Sequence, residues 1–313
     1  MAGDQRLYET GDGTAGFLKL PEGTFRSDPN GAMTQAASGA YSTTAVPVLP
    51  GAPFHRDRWW DGPANRWLPV PNQQIAPDGA SYVYQLGPEV HLVNVATGVD
   101  RLIYRQPSGF PPASYVIPHL LAYRGGAVYQ GVNNFFKAAD ESVQSVPADQ
   151  VGVWQIDPGG AAPRRVLPNS VNGIVDAGSV FWAVENDNTT PPIGTLVRYD
   201  LASARKDSWF TGPGNGLDLL GLDREGKPIV WTYDYQGHVK VWRVSGPNVA
   251  EAIYSETYTG YISLYGGNNS EFGTLVTDSH GVWFGSANGL FLYGATGFRK
   301  IAETPGIPVG PCH

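Results

Sequence analysis

The chain has 313 residues, a formal net charge of −7, 40 Gly, 26 Pro and one Cys. A single cysteine excludes an intrachain disulfide framework and a Cys-based zinc cluster. An acidic chain with no basic run longer than Arg164-Arg165 lacks the face that phosphate neutralisation requires, which excludes nucleic acid, and no apolar stretch reaches the roughly 18 residues of a membrane helix.

Residues 1–16 are polar and Gly-rich and read as a flexible lead-in, with 17–313 as one domain. Met1-Ala2-Gly3-Asp4 has no apolar signal core. Charged residues are only 16% and aromatics 12%, so the expectation is an extracytoplasmic protein whose signal sequence is absent here, acting as a monomer. Residues 17–20 and 24–26 flank Pro21-Glu22-Gly23 and predict a hairpin, and residues 29–50 read as a long loop. Residues 58–61 and 66–70 predict two strands around a turn. Trp59 and Trp60 are adjacent on the first, so they must face opposite sides. Either two neighbouring layers take one ring each, or one ring is exposed as an aromatic contact for a sugar or a partner.

From residue 74 onward one pattern recurs: a polar start, a short strand, a Gly turn, an aromatic strand and two further strands. The turn glycines are Gly79, Gly126, Gly178, Gly226 and Gly281, spaced 47, 52, 48 and 55 residues apart. They precede the runs Tyr82-Val83-Tyr84, Val128-Tyr129, Phe181-Trp182, Val230-Trp231 and Trp283-Phe284. The second unit carries an insertion at about 132–149, which reads as a long loop. No capped segment with a 3.6-residue period exceeds about two turns. An all-β repeat of this period predicts a β-propeller of four-stranded blades. Five units plus the N-terminal strands give six blades, closed by pairing of an N-terminal strand with the last blade, or by the reverse; seven would need two blades from the first 70 residues.

The segment Ile75-Ala76-Pro77-Asp78-Gly79-Ala80-Ser81-Tyr82-Val83-Tyr84 resembles the blade start of TolB-like propellers, with Ala76 where Ser is usual. Val276-Thr277-Asp278-Ser279-His280-Gly281-Val282-Trp283-Phe284-Gly285, followed by Asn288-Gly289-Leu290, is similar to repeats of virginiamycin B lyase-like and sensor propellers. These resemblances imply the propeller class; the TolB-like group is mostly one of protein-interaction modules.

Inner-strand starts converge at one mouth of a propeller. The polar residues there are Gln74 (with Asn72 and Gln73), His119, Asn172 (with Asp176), Asp218 (with Asn215), and Asn269 and Glu271 (with Asn268). Oxygen donors such as Asn172, Asp218 and Glu271 are the type that holds Ca²⁺ in metal-dependent propeller lactonases, where the ion polarises an ester carbonyl; His119 or Glu271 would then be the catalytic acid–base group. Turn chemistry alone also enriches Asn, Asp and Gly at such positions. The leading expectation is a non-catalytic module binding a protein or glycan, and the alternative a divalent-metal-dependent hydrolase or lyase. Of the other histidines, His91 is expected to face outward and His280 to be solvated in a turn.

Overall fold

The computed structural model describes residues 5–9, 14–31, 59–86, 88–106, 119–132, 135–137, 143–168, 173–176, 179–187, 193–212, 216–234, 236–257, 275–286, 289–304 and 306–312. Among these residues there is no α-helix. The strands form antiparallel sheets taken up in chain order. Sheet 1 contains Gln5–Glu9, Ala15–Lys19 and Thr24–Ser27, with the C-terminal strand Ile307–Pro308 added beside Gln5–Glu9. Sheet 2 has three strands, Ser81–Leu86, Glu89–Asn94 and Asp100–Arg105. Sheet 3 has Arg164–Leu167, Gly152–Ile156, Ala127–Val132 and His119–Arg124, the last being innermost. Sheet 4 runs Gly173–Asp176, Val180–Asn186, Gly194–Asp200 and Lys206–Thr211. Sheet 5 runs Gly216–Leu222, Pro228–Tyr233, His238–Gly246 and Val249–Thr257. Sheet 6 runs Leu275–Asp278, Gly281–Ser286, Gly289–Gly294 and Gly297–Ala302. A succession of up-and-down four-stranded sheets is the β-propeller class.

The aromatic runs of the repeat are the second strands, and their chemistry follows from burial on both faces. In a strand, neighbouring side chains point to opposite sides. Tyr82 and Tyr84 therefore enter the cluster shared with sheets 1 and 6, whereas Val83 packs with Val128 and Ile156 of sheet 3. Tyr129 packs with Phe181, Val197 and Tyr199 of sheet 4. Trp182 turns the other way, to Leu217, Val230 and Val244 of sheet 5. Trp231 and Ile229 meet Val282 and Phe284 of sheet 6, and Trp283 meets Leu18, Trp59 and Trp67. A strand buried on both sides has no polar alternation, which is why these runs read as continuous apolar text. The first strands of sheets 3 to 6 lie against one another, and the fourth strands of sheets 4 and 5 are largely exposed.

The turn glycines within the described residues share a backbone reason. Gly79, Gly126, Gly226 and Gly281 have φ of +68°, +74°, +71° and +139°, values that L side chains rarely adopt. Asp78, Asp223 and Asp278 stand just ahead of three of them, and each accepts a hydrogen bond from a backbone N–H two residues on (Ala80, Glu225 and His280).

Three expectations change. Gln5–Glu9, inside the segment read as lead-in, is a strand, because its edges are taken by Ala15–Lys19 and by Ile307–Pro308. That pairing brings an N-terminal and the C-terminal strand together in the first sheet. The insertion after residue 132 contains a small hairpin, Phe135–Lys137 with Val143–Ser145. The inner element of sheet 2 is a 3₁₀ turn, Asn72–Gln74, followed by the single bridge Ile75↔Tyr82. Pro71 and Pro77 flank this stretch and lack the N–H groups a ladder needs.

Candidate functional site

Trp59 and Trp60 both pack with the cluster shared by sheets 1, 2 and 6. Trp59 is 8% exposed in the core. Trp60 is partly buried, edge-to-face with Phe17 (5.4 Å between centroids) and with Trp67 (5.6 Å). The hairpin carrying them, Trp59–Asp61 with Arg66–Leu68, is tied to the C-terminal segment by Trp60 N–H donating to the Val309 carbonyl at 2.9 Å.

The polar residues of the inner strands separate toward two ends. His119 is the first residue of its strand and Arg124 the last. His119 lies opposite Gly131, and a methyl group on Gly131 would come within 2.8 Å of its Cε1, so the imidazole lies directly over bare backbone. Sheet 5 repeats the device at its start: a methyl group on Gly216 would sit 2.0 Å from Cζ of Tyr233. Asp218, two residues further on, accepts the Trp231 indole N–H at 3.1 Å. Burial raises its carboxyl above the usual range, and the indole bond pulls in the other direction.

That shift has a measurable consequence. A raised folded-state pKa means the native state holds the proton more tightly than the unfolded chain. Ionising Asp218 therefore costs stability progressively as pH climbs from the unfolded value, about 3.9, through the folded one. Asp218→Asn keeps an oxygen for the indole and removes the buried charge. It is expected to melt above the parent at pH 7, with the difference vanishing near pH 3.5, as a pair of pH-dependent thermal melts would show.

The opposite ends of the inner strands hold a cluster centred on Arg124, a residue the sequence did not single out, and it takes in Asp176, Asn72 and Gln73, which were expected at the strand starts. Asp176 ends the first strand of sheet 4; burial raises its carboxyl while Arg198, Arg124 and Lys227 lower it. Arg124 reaches back to the 3₁₀ turn. Its Nη1 donates to the carbonyls of Ile75 (2.8 Å), Tyr123 (2.9 Å) and Gln73 (3.3 Å), and its Nη2 to that of Asn72 (3.3 Å). Burial lowers the guanidinium's pKa, with the Asp176 charge acting against it. Gln74 thus belongs to the turn clamped by Arg124 rather than to the strand starts near His119. It is 8% exposed, and its Oε1 has no hydrogen-bond partner among the described residues. Asn172, Asn215, Asn268, Asn269 and Glu271 lie outside the described residues. The structure therefore places His119 and Asp218 near the starts of inner strands and sets Gln74 elsewhere.

His91 does not face outward. Its Nδ1 lies 2.9 Å from Asp100 Oδ1, its Nε2 3.3 Å from Glu89 Oε2, and its ring stacks on Tyr84 at 4.9 Å. Tyr84 also donates to Asp100, and Arg105 pairs with Glu89. Strand alternation placed His91 on the face opposite to Val90, and that face turns out to be the one covered by Tyr84. His280 is half-exposed in its turn.

Comparison with known proteins bears on architecture alone. No protein family and no curated protein matches the chain. Among solved structures, TolB from Acinetobacter baumannii aligns over 98% of this chain and 66% of its own, at 13% identity and a TM-score of 0.48. The β-propeller domain of the Trilobed protease from Pyrococcus furiosus aligns over 71% and 66%, at 12% identity and a TM-score of 0.42. The calcium-binding protein regucalcin from Agrobacterium tumefaciens aligns over 82% and 80%, at 14% identity and a TM-score of 0.45. The chain is similar to TolB-like propellers at the level of class. No helix among the described residues is long and apolar enough to cross a membrane.

Proposed function

We propose that this chain is a non-catalytic, extracytoplasmic binding module: a six-bladed β-propeller that takes a protein or glycan ligand at the starts of its inner strands. The pairing of Ile307–Pro308 with sheet 1, and the core shared by sheets 6, 1 and 2, support a ring of six closed between its ends. The observation that carries the binding reading is the pair of partly exposed rings, His119 and Tyr233, each laid over a glycine at an inner-strand start. Flat rings on bare backbone form a stacking surface for sugars and for peptide side chains. Asp218, the described carboxylate that a divalent ion would require here, is engaged by an indole, and burial favours its neutral form. This supports binding over metal-assisted hydrolysis.

Surface-plasmon screening against panels of defined oligosaccharides and synthetic peptides tests the reading, alongside turnover of chromogenic esters and lactones with added CaCl₂. The expected result is a ligand whose affinity falls about tenfold in His119→Ala or Tyr233→Ala, as for a contact at the centre of a small interface, and no calcium-dependent turnover. Calcium-dependent hydrolysis abolished by Asp218→Asn would overturn it. Recovery of the native protein from the cytosolic fraction of its producing cells would remove the extracytoplasmic part, and analytical ultracentrifugation checks the expected monomer.

A further inference from the structure

One face of sheet 2 carries a row of titratable groups that takes no part in the inner-strand starts. In register, Tyr84 stands opposite His91, Glu89 opposite Arg105, and Asp100 opposite Val93, two residues beyond His91. Alternation along the strands puts Tyr82, Tyr84, Glu89, His91 and Asp100 on the same face. They form a continuous chain of contacts, from Arg105 to Glu89, His91, Asp100 and Tyr84. The His91 side chain is 15% exposed, and its ring stacks 4.9 Å from that of Tyr84 at an interplanar angle of 19°.

Both imidazole nitrogens meet carboxylates, Nδ1 at 2.9 Å from Asp100 and Nε2 at 3.3 Å from Glu89. A neutral imidazole has one N–H and one lone pair, so it serves one carboxylate and turns a lone pair to the other. Only the doubly protonated ring serves both. The Glu89 carboxyl is held below its usual range first by this bond to His91, with burial acting against it and Arg105 adding to it. Tyr82 and Tyr84 stay neutral beside the ring, because burial pushes both hydroxyls up and the Asp100 charge adds to the effect. The parts of this core that come from sheets 1 and 6 and from the Trp59 hairpin are apolar, and Arg66 of that hairpin is committed to the Val95 carbonyl at 3.2 Å.

We propose that His91 is a proton-operated latch in sheet 2: doubly protonated, it bridges Glu89 and Asp100 and holds the two outer strands against the Tyr84 strand, and it releases them on losing a proton to solvent. The bridge is complete while the ring is charged and both carboxylates are ionised. Its contribution is therefore present on the acidic side of neutrality and lost as pH rises through roughly 6–7, where imidazoles titrate. It is lost again at low pH, as Glu89 takes up its own proton. The latch shares no residue with the inner-strand starts, so it holds or fails independently of ligand binding there.

Hydrogen–deuterium exchange of the full chain at pH 5.5 and 8.5, read by mass spectrometry and corrected for the intrinsic pH dependence of exchange, tests the latch. Opening of peptides from residues 81–106 is expected to rise about tenfold or more at the higher pH, as for the loss of one hydrogen bond between charged groups. His91→Gln removes the titrating ring and should show no such step. Glu89→Gln is the sharper variant, because its amide N–H can donate to Nε2 of a neutral ring while Nδ1 keeps Asp100. The step should then vanish with the histidine still in place. Peptides of sheets 4 and 5 that exchange as in the parent certify the fold of each variant. Equal opening of the parent's sheet 2 peptides at both pH values overturns the latch, as does a step that survives in His91→Gln. A step that survives in Glu89→Gln overturns it too, because the second carboxylate is then not what holds the proton.

Discussion

Asp278→Ala is expected to destabilise the protein by about 3–5 kcal/mol, because it leaves the Trp283 indole and Cys312 backbone donors unmet at about 1–3 kcal/mol each. The Asp278 side chain is 5% exposed. Its Oδ2 accepts the Trp283 indole N–H at 3.0 Å and the Cys312 backbone N–H at 2.9 Å, while Oδ1 accepts the His280 N–H at 2.8 Å. Removing it strands buried donors in the second strand of sheet 6 and in the C-terminal segment together. That segment is fastened at two more points, Ile307–Pro308 to sheet 1 and Val309 to the Trp59 hairpin. Loosening its end should therefore propagate to the first sheet. Urea denaturation reads the stability, and limited proteolysis followed by mass spectrometry reads the tail. Cleavage after residue 302 is expected in the variant under conditions where the parent stays intact. Stability within about 1 kcal/mol of the parent, with the tail still protected, would show that Asp278 does not hold the ends together.

Arg124→Met is expected to have a comparable effect, about 3–5 kcal/mol, for a different physical reason. Sheet 2 has a 3₁₀ turn where its neighbours have an inner strand; the Asn72 carbonyl accepts the Ile75 N–H within the turn at 3.1 Å, while those of Gln73 and Ile75 have no complete ladder to accept from. Arg124 of sheet 3 supplies those donors across the boundary between the sheets. Hydrogen bonds to a charged donor are worth about 1.5–3 kcal/mol each, are not additive, and leave buried acceptors unmet when removed. Methionine keeps most of the apolar stem but none of the donors. Arg124→Lys separates charge from geometry: an ammonium group cannot spread over carbonyls that a planar fork spans, so lysine should recover less than half of the loss. Equal stability of the lysine variant and the parent would show that charge alone suffices there.

The repeat was legible in the chain because its determinants are short-range. A turn needing φ above zero selects glycine at 79, 126, 226 and 281 whatever lies nearby. A strand buried on both faces selects runs such as Tyr82-Val83-Tyr84 and Val282-Trp283-Phe284. The candidate site was legible only in part. Position along the inner strand pointed to His119 and Asp218, but nothing local announced that the first would lie over Gly131 or the second hold the indole of Trp231. Gln74 was misplaced because a Pro-flanked 3₁₀ turn and an inner strand occupy the same sequence slot.

The sequence by itself determined the all-β class, the turn positions and the doubly buried second strands, since each depends on backbone conformation and side-chain alternation over a few residues. Only the tertiary structure decided what meets across the sheets: Ile307–Pro308 beside Gln5–Glu9, Arg124 over the carbonyls of residues 72–75, His91 between Glu89 and Asp100, and Tyr254 against Phe298. Those contacts depend on register and on which sheets become neighbours, and they form only when residues far apart in the chain are packed together.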